Sequence, residues 1–228
     1  MPSSLFPALL VSVAATAWCW WATGVGLGLF LGATLLASAY VPALSLSDEI
    51  FGSWRVAGAA TVGVSLCWLG AITFVDVTFW EWCRCALVLA GWSFALAGFS
   101  MALRAAQLDP PTAAGITVLL GLLWLTWPVW LSPWLTQQLS DRLVVAHPLL
   151  AINGVLLKQF GSWDRTHLAY STLTVLNQDI AYQPPASILP AVIVQLTVAL
   201  AGMAVARLAR GRCDDRHTRY TPAPPPPA

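Results

Sequence analysis

Apolar positions in this chain run together in blocks of about 20 residues, separated by short charged or proline-containing breaks. About 30 Å of hydrocarbon needs about that much helix, so each block has the length of one membrane span. The first stretch, Met1 to Ser47, carries no charged side chain and is long enough for two spans. A turn placed at Trp21, Ala22 and Thr23 divides it into a helix from about Ser3 to Trp20 and one from about Gly24 to Leu44, before the acidic break Asp48-Glu49. A third helix is predicted from about Val56 to Val75, ended by Asp76, and a fourth from about Cys85 to Leu103, ended by Arg104. Asp109-Pro110-Pro111 stops any helix. A fifth runs from about Thr112 to Leu131 and a sixth from about Ile188 to Leu208.

The predicted class is therefore an all-α integral membrane protein with about six spans. Residues 1–131 form a five-helix bundle, 132–187 an external, partly helical segment, 188–208 the sixth span, and 209–228 a disordered tail, basic and then proline-rich. Ala15-Thr16-Ala17 has the look of a signal-peptidase site, and cleavage there would leave five spans. No Lys or Arg precedes the apolar run, so the segment is expected to stay as the first helix.

Composition strengthens this reading. The chain is 58% hydrophobic and 9% charged, against about a quarter charged in ordinary soluble domains. Its net charge of +1 and scattered cations offer no nucleic-acid surface. The lipid bilayer is the expected partner, with other membrane subunits or a second copy of the chain.

Orientation follows from the cations and tryptophans. Arg207, Arg210, Arg212, Arg216 and Arg219 form the densest basic cluster, and positive residues beside a span stay cytoplasmic. Six spans then place both termini on the cytoplasmic side of the inner membrane. Trp18, Trp20, Trp21, Trp80, Trp82, Trp130 and Trp134 all fall near the predicted outer boundary, where amphipathic rings favour the headgroup level.

The predicted span interiors hold no Asp, Glu, Lys, Arg or His, although proton relays and ion pathways normally need such groups. Their Ser, Thr and Gln195 side chains are expected to tie helices together. Gly24, Gly28 and Gly32 give the second helix a face without side chains, open to another helix of this bundle or of a partner. Gly58 with Gly63, and Ala201 with Gly202, read the same way.

Five cysteines form no metal or haem pattern, and neither metal nor cofactor is expected. Cys19 should lie level with Cys83 and Cys85, which makes them a candidate external disulfide set. Candidate chemistry gathers in the external segment. Apolar residues from Leu135 to Leu157 suit a helix lying on the membrane or on the bundle, broken at Pro148. His147, Asp164, His167 and Asp179 are the candidate acid/base or metal-binding groups, although their spacing matches no motif. The expected function is a non-catalytic subunit or scaffold of a transport or envelope assembly. The alternative is a membrane-bound enzyme with an external site around His147, Asp164 and His167, acting on a lipid-linked or external substrate.

Overall fold

The computed structural model describes residues 5–24, 26–45, 50–131, 134–161 and 183–219. Every regular element among them is helical: α1 (Leu5–Thr23), α2 (Leu27–Leu44), α3 (Ile50–Ala71) with a 3-10 turn (Ile72–Phe74), α4 (Phe79–Ala105), α5 (Pro110–Trp130), α6 (Gln137–Val144), α7 (Pro148–Phe160) and α8 (Leu189–Arg219). Six of them, α1 to α5 and α8, are long and apolar enough to cross a bilayer. The fold is the all-α membrane architecture that the hydropathy pattern predicts.

Helix ends differ from expectation where polar residues begin a helix instead of interrupting it. Thr78 and Glu81 form a capping box: the Thr78 hydroxyl accepts the Glu81 N–H (3.3 Å), and the Glu81 carboxylate accepts the Thr78 N–H (2.9 Å). This starts α4 at Phe79, six positions before the predicted Cys85. Asp109 accepts the Thr112 N–H (3.1 Å), and Pro110 and Pro111 occupy the first two positions of α5. The same three residues thus start a helix as well as ending one, since proline lacks only an N–H that the first turn leaves unpaired. α1 runs through Trp21 to Thr23, where the turn is expected, and Gly24 and Gly26 flank the break before α2. Gly24 there has φ +72°, which a side chain would strain. α8 continues to Arg219, beyond the predicted end at Leu208, because no proline interrupts the chain before Pro222.

α4 is the hub and the most buried of the six spans, touching α2, α3, α5, α7 and α8. Its most extensive contact is with α8. α8 presents Ala191, Gln195, Ala199, Gly202 and Ala206, all buried at helical spacing, to the α4 face that carries Gly91 and Gly98. A Cβ on Gly98 would lie 2.7 Å from the Ala199 carbonyl oxygen, and one on Gly202 would run into the Gly98 carbonyl. Backbone therefore meets backbone, the arrangement small residues permit in lipid. Positions rise together along both helices, so α4 and α8 are parallel and their arginines, Arg104 and Arg207, share one end of the bundle.

Polar bonds pin α4 at other points. The Trp92 indole N–H donates to the Ser38 hydroxyl of α2 (2.9 Å), the Trp82 indole N–H to the Ser65 carbonyl of α3 (2.9 Å), and Arg104 to the Ser45 carbonyl at the end of α2 (3.3 Å). Phe30 packs at a tilt against both Trp68 and Phe160, joining α2 to α3 and α7. Ser38 ties helices together as expected, but the expectation needs correction for the threonines. Thr16, Thr34, Thr61, Thr117, Thr126 and Thr197 each donate to the carbonyl four residues earlier in their own helix. That bond is within reach of any helical hydroxyl and needs no partner helix.

Filling the α4–α8 seam should be costly. Gly202→Leu is expected to lower thermal stability in detergent by about 1–3 kcal/mol or more, as overpacking does. Gly115→Leu on α5, where a Cβ meets nothing within 4 Å, should stay within about 0.5 kcal/mol of the parent. Equal losses in thermal unfolding would refute the close approach of α8 to α4.

Candidate functional site

The described part of the segment after α5 is built from two short helices. α6 and α7 meet at a bend of 80°, with His147 at the corner and Pro148 as the first residue of α7. α7 packs on α4 and α2, with Ala151, Ile152 and Leu156 fully buried. Its far end reaches the first turns of those helices, where Phe160 meets Phe30 and the Gln159 amide donates to Glu81 (2.8 Å). It is thus a helix lying across one end of the bundle, the end opposite Arg104, called here the α7 end.

His147 is 1% exposed, between the rings of Trp124 and Trp127. Its Nε2 lies 3.1 Å from the Trp124 carbonyl oxygen and 3.2 Å from that of Leu125, while its Nδ1 accepts the Leu150 N–H (3.2 Å). Two carbonyls require a proton on Nε2, and the Leu150 N–H requires a bare Nδ1. The ring is therefore the neutral Nε2–H tautomer, held by its partners. The Trp124 carbonyl is available because Pro128, four residues later, has no N–H to offer it. His147 thus caps α7 and clamps it to the proline-broken last turns of α5. Both nitrogens are engaged, so neither is placed to bind a metal or take a proton from a substrate.

The other candidates fall as follows. Asp164, His167 and Asp179 lie outside the described residues. Among the described residues, no three His, Cys, Asp or Glu side chains gather as a metal site. Cys19, Cys83 and Cys85 carry free thiols here, Cys19 and Cys85 buried and Cys83 half-buried. Cys19 turns toward α2, where a Cβ on Gly32 would lie 3.1 Å from its sulfur. A Cβ on Gly28 would lie 2.9 Å from Thr23, so Gly28 and Gly32 both face α1 of the same chain, and Gly24 serves the turn.

Sequence reasoning passed over a cavity of about 740 Å³ at the α7 end, between the first turn of α4, the middle of α7 and the approach to α8. Among the described residues Arg84, Lys158 and Glu81 supply its charges, and Trp80, Leu87 and Leu189 its apolar rim. Arg84 sits over the Trp80 ring, 5.5 Å from its centroid. Gly154 lets α7 approach the Pro185 carbonyl and close the wall. Arg84 and Lys158 come from helices far apart in the chain, so no local sequence signal pairs them.

Bundle and site together define a polytopic all-α membrane protein. Comparison with family models, with curated proteins and with solved structures returns no match.

The buried ring makes acid a test of the clamp. Burial pushes the His147 pKa down from 6.5 to about 4, its carbonyl bonds offsetting part of that fall. Between those two values the unfolded chain binds a proton that the folded one refuses, so stability falls as pH drops from about 6.5 toward 4. The loss integrates to about 3 kcal/mol. Thermal unfolding against pH should show this fall in the parent and a flatter profile in His147→Gln. Identical profiles would mean that His147 does not titrate on unfolding.

Proposed function

We propose that the protein is a non-catalytic membrane subunit or scaffold of a transport or envelope assembly. It would lie in the cytoplasmic membrane, with both termini inside and residues 132–187 facing outward. The observation that carries this reading is the His147 clamp, in which the described candidate for acid/base work has both ring nitrogens committed to holding α7 on α5. The hydroxyls of Thr34, Thr61 and Thr117 support it, since they bond their own backbones and are not aimed at a shared path. Large exposed apolar side chains on α1, α5 and α8 leave surface for lipid and for helices of other subunits.

Two measurements test the proposal. A reporter fused after Ala228 should behave as cytoplasmic and one inserted near Gly161 as external; the reverse would overturn the orientation. Affinity purification of the full chain in mild detergent should bring down a membrane partner at fixed stoichiometry. A chain that is recovered alone from its native membrane and turns over a substrate would overturn the subunit reading.

A further inference from the structure

We propose that the cavity at the α7 end is a binding site for one anionic glycerophospholipid, its phosphate held by Arg84 and Lys158. The argument begins with charge. Among the described residues, three charged side chains line the cavity, two cations and one carboxylate, for a balance of +1. Glu81 is already committed: one oxygen accepts the Gln159 amide (2.8 Å) and the other accepts the Thr78 N–H and hydroxyl (each 2.9 Å). Arg84 and Lys158 are exposed cations on the same cavity, Arg84 over an indole ring and Lys158 on α7 within electrostatic reach of Glu81. A guanidinium in a fixed position is suited to phosphate oxygens.

Position then selects a lipid over a free anion. The cavity opens where α4 and α8 begin their spans, which is headgroup depth for a bilayer around those helices. Leu87 and Leu189 on its rim are large, apolar and exposed, and they lead from the charged floor onto the lipid-facing surface of both spans. An acyl chain leaving the cavity would cover them. Basic pockets between membrane helices take acidic headgroups on this same physical basis. A volume of about 740 Å³ admits a phosphoglycerol headgroup and the first carbons of its chains.

The test is lipid retention by the purified full-length chain. Native mass spectrometry in detergent, with phosphatidylglycerol, phosphatidylcholine or inorganic phosphate added separately, should record one retained phosphatidylglycerol per chain. Removing a cation near an acidic headgroup weakens binding by about fivefold, so Arg84→Gln with Lys158→Gln should weaken it by about 25-fold. Both side chains are exposed, and the lipid-free thermal midpoint of each variant should match the parent. Lys158→Gln alone should show the fivefold step even where the double variant accumulates poorly. Equal retention of phosphatidylcholine, unchanged retention in Lys158→Gln, or saturation by inorganic phosphate with no preference for the lipid would each overturn the proposal.

Discussion

The contact between α4 and α8 is the constraint on which the rest of the arrangement depends. At Gly98 and Gly202 the two backbones touch, and no side chain larger than hydrogen fits at either point. In water such an approach would be secondary to apolar burial, but lipid offers no hydrophobic gain for bringing helices together, so close packing must supply the attraction. Because α8 is seated beside the hub helix, with Gln195 against Gly91, its first residues come to the α7 end of α4, where both helices line the cavity. That fixes where the segment after α5 must return, and α7 is laid across the gap. Cavity and clamp are both consequences of that return path.

The same seam carries the least satisfied polar group in the described spans. Gln195 is 3% exposed, and neither atom of its amide has a described partner. Gly91 makes room for it, since a Cβ there would lie 2.5 Å from its Oε1. A buried amide without partners costs about 1–3 kcal/mol, so the seam tolerates a penalty that its packing must outweigh. The clamp at His147 does the opposite, joining a carbonyl left without its helical donor by Pro128 to a ring that also caps a helix.

Spans were legible because a long uncharged run has few other uses. Their ends were less so, because charges were read as limits. Glu81 and Arg84 lie inside α4, and Arg55 inside α3, since long side chains at a span end can reach the headgroups. The signal for the α4 start was present in Thr78 and Glu81 at capping-box spacing. The role of His147 was not legible, because it depends on Pro128 coming close in space from a different helix. The glycine stripe of α2 was visible, but the tighter Gly98–Gly202 contact joins residues far apart in the chain and has no local signature. The cavity, assembled from three separated elements, was hidden for the same reason.

The distance along the chain between the two halves of the seam has a consequence for biosynthesis. α4 ends at Ala105 and α8 begins at Leu189, 84 positions later. At about 5–20 residues per second, the ribosome needs roughly 4–17 s to reach the start of the second half after completing the first. Throughout that interval the Gly91–Gly98 face of α4 is exposed to the bilayer or to whatever helix reaches it first. Any nascent helix with small residues at matching spacing competes for that face, so translation speed between α4 and α8 sets how long the unfinished protein stays open to mispairing.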